Sequence, residues 1–257
     1  MTRLLPGLLA LLWGASALAD TITCLGRIEP LDGVRTLAGP SGFSGAGSVI
    51  AELKVAEGDW VEAEQVLAIL DGYPLYSAEV KRQEELLKEA RLQLKRLQDL
   101  STTQSTSQAK LDEARFKVSA LAAERGVSEA RLEMSLLRAP ARGQVLKIYT
   151  HPGEKVGSDG VLELGETDKM TVVAEVYETD IRHVSEGMTA KISSPALDTA
   201  ITGKIIKIGL RVGKMDVLSS DPVADTDARV VETTILVDDP EPLRRLTNLQ
   251  VDVEIGQ

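Results

Sequence analysis

The feature that most constrains this fold is a pair of helical segments separated by seven small polar residues. From about Ser77 to Leu100 the sequence contains no Gly or Pro, and apolar residues recur with heptad spacing. Only Ser, Thr and Gln occur from Ser101 to Ser107, and a second helical segment follows. The short joint between segments of similar length predicts an antiparallel coiled-coil hairpin. The predicted seam of the first helix consists of Val80, Gln83, Leu87, Ala90, Leu94 and Leu97.

The second helical segment, Gln108 to Leu137, has a less regular pattern. Its seam begins with Leu111, Ala114, Val118 and Leu121, and we expect it to continue with a shifted phase through Gly126, Ala130, Met134 and Leu137. Because Gly lowers helix stability by up to ~1 kcal/mol relative to Ala, Gly126 predicts a bend or a close helix approach.

The segments on either side of the hairpin resemble each other. Each contains a strand, a turn with Gly next to an acidic residue, and a further strand. These are Gly47–Ile50, Glu57–Val61 and Val66–Asp71 in the first half, and Gly143–Leu146, Pro152–Val156 and Val161–Leu164 in the second. Neither half can bury its own apolar face, so we expect the two halves to share a core.

The N-terminus has the pattern of an export signal. A basic start at Arg3 precedes an apolar stretch from Leu4 to Ala19, and the small residues before Asp20 are typical of a signal-peptidase site. A helix of this length rises only ~24 Å, less than the hydrocarbon core of a bilayer. The pattern therefore favours cleavage after Ala19 over retention as an anchor, and no later segment is apolar enough to span a bilayer.

Composition and motifs argue against several classes of function. The chain has a formal charge of −10 and no long basic run, which argues against nucleic-acid binding. The single cysteine, Cys24, cannot form an internal disulfide and is interpreted as a small strand residue. His151 and His183 are not spaced as metal ligands, and no catalytic triad or phosphate loop occurs. We therefore predict no enzymatic activity, no metal and no cofactor.

Two motifs in the flanking halves carry a family resemblance. Gly58–Val61 followed by Val66–Asp71 resembles half of a biotinyl/lipoyl-type β-sandwich, and Leu137–Val145 resembles an R-A-P-x-x-G-x-V entry to the second half. A lipoyl-like sandwich split by a helical hairpin is similar to the HlyD-type membrane fusion proteins, the periplasmic adaptors of bacterial exporters. The resemblance implies a mixed α and β fold: a split biotinyl/lipoyl-like β-sandwich, an inserted antiparallel α-helical coiled-coil hairpin, and a small β-barrel.

The polar joint of the hairpin resembles the family's tip motif. The matching residues are Arg96, Leu97, Leu100, Ser107 and Leu111. The resemblance implies that they dock on the periplasmic end of a TolC-like outer-membrane channel. Small side chains permit close helix approach, and Arg96 is a fork donor suited to a carbonyl or carboxylate. An alternative remains open, in which Ser107 caps the second helix and Arg96 pairs with Asp99 or with solvent.

The C-terminal third is mostly β and resembles the barrel of the adaptors. Its predicted strands lie in Met170–Val176, Ala190–Ile192, Thr202–Leu210, Ala228–Asp238 and Leu249–Ile255. Asp227–Glu232 and Leu246–Val251 resemble the DevB-like branch, which serves ABC-type exporters. Because the chain stops at Gln257, we expect no full membrane-proximal domain. The loop 213–226 is a candidate contact with an inner-membrane transporter.

The resemblance implies a non-enzymatic adaptor subunit of a tripartite export system in the periplasm of a Gram-negative-type bacterium. Its partners would be an inner-membrane ABC transporter permease, a TolC-like outer-membrane channel and further copies of the chain, forming a hexamer. Two alternatives remain: an adaptor of a proton-driven pump, and a lipoyl or biotinyl carrier domain with a helical insertion. Lys169 argues against the carrier, because it follows the second half rather than joining the halves.

The predicted domains are a signal peptide (1–19), an N-terminal strand joining the barrel (20–35), the lipoyl-like halves (36–74 and 138–168), the hairpin (75–137) and the barrel (169–257).

Overall fold

The chain, described by a computed structural model, forms two compact units. One contains the residues up to Glu29 and those from Lys169 onward, and the other is Pro30–Asp168. The structure describes residues 21–39, 49–101, 107–215 and 228–256. The predicted signal peptide and most of the loop 213–226 lie outside these residues, so both remain predictions.

Two long helices and thirteen strands make up most of the described residues. The helices are α1 (Tyr73–Ser101) and α2 (Gln108–Glu133). The strands are β1 (Ile22–Pro30), β2 (Arg35–Leu37), β3 (Ile50–Leu53), β4 (Trp60–Val61), β5 (Val66–Leu70), β6 (Leu136–Arg138), β7 (Gly143–Ile148), β8 (Leu162–Gly165), β9 (Met170–Tyr177), β10 (Thr189–Ser193), β11 (Ile201–Lys214), β12 (Arg229–Val237) and β13 (Gln250–Gly256). Short 3-10 turns occur at Ile181–His183 and Glu241–Leu243.

The unit Pro30–Asp168 contains two sheets that exchange strands between the two halves. The sheets have the orders β2-β8-β7-β4 and β3-β5-β6. In the first, β4 of the first half pairs with β7 of the second, and in the other sheet β6 of the second half pairs with β5 of the first. Residues of both halves form a single apolar core, which includes Ile50, Val61, Leu67, Val145, Leu162 and Leu164. Neither half is complete without the other.

Equivalent hydrogen bonds join the two halves at their turns. The Gly58 N–H donates to the Val145 carbonyl at 2.8 Å, and the carbonyl of the residue after Gly58 accepts from the Val145 N–H at 2.9 Å. In the same way, the Gly153 N–H donates to the Ile50 carbonyl at 2.7 Å, and the next carbonyl accepts from the Ile50 N–H at 3.0 Å. Both turn glycines have a positive φ, 92° and 88°, which favours Gly. The turn of each half is therefore held by a strand of the other.

The helices α1 and α2 form a hairpin inserted between β5 and β6. The predicted seam of α1 is confirmed, since its buried residues are Val80, Gln83, Leu87 and Ala90. Farther along, Leu94 and Leu97 are half-buried. A helix of 29 residues is ~44 Å long. Neither of these helices, nor any other described one, has a stretch apolar enough to cross a membrane.

The phase shift predicted for the seam of α2 is wrong. Gly126 and Ala130 are exposed, and burial continues in the original heptad phase through the half-buried Arg125, the buried Ser128 and the half-buried Leu132. The helix is uninterrupted at Gly126, and a Cβ there would meet no atom within 4 Å, so the expected bend or close approach is absent as well. Polar residues continue this seam where apolar ones were expected.

The half of the hairpin nearest the sheets contains a polar section. The Arg125 Nε lies 3.8 Å from the Glu84 Oε1, and the Arg131 Nη1 lies 3.3 Å from the Glu79 Oε1. Gln83 is only 6% exposed, and its Oε1 accepts no hydrogen bond from the described residues. Polar residues at seam positions weaken packing but disfavour a shift in helix register. The cross-helix ion pairs have the same effect, because they match one alignment of the two helices.

The other unit is built on a closed barrel of six strands, in the order β1-β13-β10-β11-β12-β9. Its core includes Ile28, Met170, Ile192, Ile235 and Ile255, all fully buried. Cys24 lies in the same core. Burial, together with the charges of Glu175 and Asp180, raises the pKa of the Cys24 thiol to about 12, so it stays protonated and unreactive near neutral pH.

A charge in the hairpin seam should destabilise the hairpin selectively. Leu87 is 2% exposed, so Leu87→Asp removes a seam contact and buries a carboxylate without a cation. We expect a loss of at least ~3 kcal/mol in the local stability of α1 and α2. Hydrogen exchange of the helix amides measures this loss while the strand amides report on the sheets.

The matched control is Leu92→Asp on the same helix, because Leu92 is 51% exposed. It should change helix protection by less than ~0.5 kcal/mol. Equal protection loss in both variants would contradict the assignment of Leu87 to the seam.

Candidate docking site at the hairpin tip

The base of the hairpin, where α1 begins and α2 ends, is anchored on two neighbouring strands. Helix α1 begins soon after β5, α2 ends just before β6, and the Leu70 N–H donates to the Ser135 carbonyl at 2.9 Å. Arg138 of β6 donates to the Glu133 carboxylate at 3.0 and 3.3 Å and to the Glu64 carbonyl at 2.9 Å. Because helix ends and sheet are tied together, the sheet sets the direction of the hairpin. The far end, around Ser101 and Ser107, is the tip.

The five predicted docking residues divide into an exposed set and a buried set. Arg96 and Ser107 are exposed, and Leu100 is 49% exposed. In contrast, Leu97 is half-buried and Leu111 is only 6% exposed. The structure therefore places Leu111 inside the hairpin rather than on its surface. Leu111 and Leu97 support the tip, whereas Arg96, Leu100 and Ser107 are exposed.

Ser107 occupies the N-cap position of α2 without using its side chain as a cap. Its backbone is extended, with φ −87° and ψ 150°, and its carbonyl accepts from the Lys110 N–H at 3.1 Å. The Ser107 hydroxyl makes no capping hydrogen bond to the part of the chain that the structure describes. The first turn is stabilised by Asp112 instead, which accepts from the Gln108 side chain at 3.2 Å and from Arg115 at 3.1 Å.

Arg96 presents its guanidinium to solvent. Within the described ranges it forms no ion pair and no side-chain hydrogen bond, so the pairing with Asp99 considered from the sequence is not formed. An exposed guanidinium keeps all its donors for a planar acceptor such as a carboxylate. Close by, the Ser101 hydroxyl donates to the Gln98 carbonyl at 2.7 Å, which helps satisfy the last turn of α1.

A second apolar stripe on α2 was not recognised in the sequence. It lies opposite the seam and follows heptad spacing, and all of its members are exposed: Phe116, Ala120, Ala123, Val127, Ala130 and the C-cap residue Met134. Phe116 is 75% exposed and Val127 is 54% exposed. The sequence pattern did indicate two of these residues, Ala130 and Met134. It assigned them to the seam, whereas they face outward.

The described residues offer no alternative chemistry at the tip. They contain no group of three or more His, Cys, Asp or Glu side chains that could hold a metal ion. Lys169, the residue considered for cofactor attachment, is exposed directly before β9, whereas the helices occupy the connection between β5 and β6.

The chain is similar in sequence to a bacterial export protein. No family model matches the sequence. The macrolide export protein MacA of Escherichia coli O157:H7 is 28% identical over 204 residues, which cover 67% of this chain and 53% of that protein. The chain spans only 53% to 61% of the length of the curated relatives it matches.

Solved structures with the same fold cover nearly the whole chain. A MacA-MexA chimeric protein containing the Pseudomonas aeruginosa MexA α-hairpin domain has a TM-score of 0.72 at 17% identity, over 93% of this chain and 81% of that chain. The membrane fusion protein Spr0693 of Streptococcus pneumoniae R6 has a TM-score of 0.60 at 16% identity, over 92% and 99%. Together, the sequence and structural comparisons confirm the resemblance to HlyD-type membrane fusion proteins.

The geometry of Ser107 predicts an unusually small effect of Ser107→Ala on stability. Replacing a capping Ser by Ala typically costs ~1 kcal/mol, whereas here we expect less than ~0.5 kcal/mol because no cap bond is lost. Hydrogen exchange in the first turn of α2 measures the difference. Asp112→Ala is the comparison, since it removes two side-chain bonds of that turn and should loosen it more. A loss near 1 kcal/mol for Ser107→Ala would show that Ser107 caps α2 in solution.

Proposed function

We propose, from the likeness to HlyD-type membrane fusion proteins, that this chain is the periplasmic adaptor of a tripartite export system. It joins an inner-membrane transporter to a TolC-like outer-membrane channel. The observation that carries the proposal is the hairpin tip, which exposes Arg96, Leu100 and Ser107 at the end of two helices anchored on paired strands. The MacA relative is an export protein by name, which supports the same role.

The tip residues supply complementary contacts to a helical partner. Arg96 donates to a carbonyl or carboxylate of the channel, and Leu100 contributes an apolar anchor. The small Ser107 permits close approach of helix ends, and its hydroxyl, which makes no capping bond to the described residues, would bind a backbone group of the partner. The adaptor works by holding two membrane proteins in register, so no bond of the cargo is broken and no cofactor is required.

An ABC-type permease is the inner-membrane partner that we propose. The support is the pair of DevB-like segments, Asp227–Glu232 and Leu246–Val251, the second of which leads into β13 of the barrel. The export signal at 1–19, cleaved after Ala19, would deliver the chain to the periplasm, where it associates with the inner membrane through its partners.

Self-association as a hexamer is part of the proposal, and the outer stripe of α2 supports it. Heptad-spaced apolar residues on a helix normally pack on another helix. Here one α2 face meets α1, and the stripe from Phe116 to Met134 has no packing partner within the described residues. A neighbouring hairpin would cover this stripe. Ala120, Ala123 and Ala130 permit close helix approach, while Phe116 and Val127 supply most of the apolar area.

Substitutions at the tip should abolish docking without affecting folding. For Arg96→Asp and Leu100→Ser we expect at least a tenfold loss of export and of channel contact, because each removes an anchor of the interface. Channel contact is measured by placing a photocrosslinker on Ser107→Cys in cells and identifying adducts by mass spectrometry. Cys24 can be retained because it is buried and protonated.

Matched controls separate docking from general effects. Lys95→Asp makes the same charge change at the adjacent exposed position, and Leu92→Ser makes the same polarity change at a similarly exposed leucine. Both should export and crosslink normally. Normal export by the Arg96 and Leu100 variants, or adducts only between copies of the chain, would remove the case for the docking role.

The outer stripe of α2 predicts a selective effect of Ala123→Glu on assembly. A carboxylate in the stripe would be buried between hairpins, so we expect at least a tenfold loss of association with unchanged helix content. Sedimentation velocity across protein concentrations measures this loss. Ala122→Glu is the control, because Ala122 is also exposed but faces away from the stripe. Identical sedimentation of both variants and the parent chain would refute the stripe as an interface.

A further inference from the structure

Strand β11 contains a large outward bulge on the barrel. Its pairing with β12 shifts register by one residue between Ile205 and Lys207, continues to Ile208 opposite Thr233, and resumes at Val212 opposite Val231. Three β11 residues, Gly209 to Arg211, therefore lie opposite Glu232 alone. Bulges of this kind redirect side chains and are often functional. This one places Leu210 in full contact with solvent, at 104% relative exposure.

The bulge depends on a close approach of two backbones. A Cβ on Gly209 would lie 2.7 Å from the Glu232 carbonyl oxygen, so a side chain at this position requires a shift in the backbone. On the opposite edge, the pairing with β10 ends at Lys204. Two further backbone bonds follow at Ile205, whose N–H donates to the Met188 carbonyl at 3.0 Å and whose carbonyl accepts from the Gly187 N–H at 2.8 Å. Beyond Ile205, β12 is the only strand that pairs with β11 among the described residues.

The exposed side chains of this stretch are apolar or cationic. Ile206 is 41% exposed and Val212 is 40% exposed, on either side of Leu210. The strand contains four basic residues and no acidic one, although the whole chain has a charge of −10. The basic residues are Lys204, Lys207, Arg211 and Lys214. None of the four has a carboxylate partner among the described residues, and the nearest carboxylate in register, Glu232, is bound by Arg27 at 3.2 Å.

We propose that the β11 bulge docks on an anionic lipid surface. An exposed leucine with cations along the same strand matches the interface of such a membrane, in which acyl chains lie beneath negatively charged headgroups. Leu210 enters the acyl boundary, and the long stems of the lysines permit their ammonium groups to remain at headgroup level. Each cation near an anionic leaflet contributes about fivefold to binding, so the contact is reversible and requires several cations together.

The shape of the patch favours lipid over a protein partner. Protein partners usually bury an anchor in a pocket, and docking sites are mostly concave. Here the most exposed leucine protrudes from a bulge whose own strand carries four cations and no anion, and the carboxylate opposite it, Glu232, is bound by Arg27. A fluid surface adapts to such a protrusion without needing a matching cavity. This lipid contact does not depend on docking of the hairpin tip, so the two are tested separately.

A fluorescent probe at Leu210 tests the lipid contact directly in the full chain. Leu210→Cys is labelled with the environment-sensitive dye NBD and mixed with vesicles of phosphatidylcholine containing 30% phosphatidylglycerol, or of phosphatidylcholine alone. We expect a blue shift and at least a twofold increase in emission with the anionic vesicles only. A second sample, labelled at Leu92→Cys on α1, should remain in a polar environment. The local readout is unaffected by any binding of the apolar N-terminal segment to lipid.

Charge reversal supplies the second arm of the test. In the Leu210→Cys background, Lys207→Glu, Arg211→Glu and Lys214→Glu together should lower affinity for the anionic vesicles by at least about a hundredfold. Addition of 0.5 M salt should have a similar effect on the parent chain. An unchanged probe signal with anionic vesicles would overturn the proposal, as would equal signals with neutral ones. A blue shift that requires an added solubilised membrane protein would assign the bulge to a protein partner and overturn the lipid contact.

Discussion

The exchange of strands and hydrogen bonds between two incomplete halves is the constraint on which the unit Pro30–Asp168 depends. The turn at Gly58 is bonded to Val145 in the other half, and the turn at Gly153 is bonded to Ile50 in the same way. Because the hairpin separates the halves in sequence, each sheet joins strands that lie far apart along the chain. The same pairing fixes the direction of the hairpin, since α1 leaves from β5 and α2 returns into β6, its hydrogen-bonded neighbour. A rigid base allows a tip ~40 Å away to be positioned by the fold rather than by a partner.

The hairpin itself is only moderately apolar inside. The seam is well packed at Leu87 and Ala90, but toward the sheets it contains Gln83 and Ser128. Two helices with such a seam gain limited stability from each other. The hydrogen bonds and ion pairs at the base of the hairpin contribute the remaining stability. The stripe on the outer face of α2 has the opposite character, with apolar residues exposed to water. A packing partner on that stripe would supply apolar contact that the intramolecular seam lacks, so assembly and hairpin stability should be coupled.

Sequence periodicity predicted α1 well and α2 only in part, for a physical reason. On α1 only the seam carries a sustained heptad of apolar residues, so the spacing identified Val80 and Leu87 although other leucines are exposed. On α2 two opposite faces carry heptad-spaced residues, and the seam is the more polar of the two in its second part. Periodicity cannot tell which face meets α1 when Ser128 is buried and Ala130 is exposed. At the tip, the motif indicated all five residues, but only the fold separates the exposed Arg96 from the buried Leu111.

At the β11 bulge, the local distribution of charge matters more for contact with an anionic surface than the net charge of the chain. The net charge of −10 repels an anionic surface at long range, and the sequence alone suggested no basic cluster because its cations alternate with apolar residues. Pairing with β12 brings Lys207, Arg211 and Lys214 around one protruding leucine on a single strand. Screening limits electrostatic forces to ~10 Å, so this local patch governs contact once a surface is near. Under the proposed lipid contact, repulsion of the acidic remainder of the chain would favour orientations in which β11 faces the lipid, so the acidic character of the protein would add to specificity.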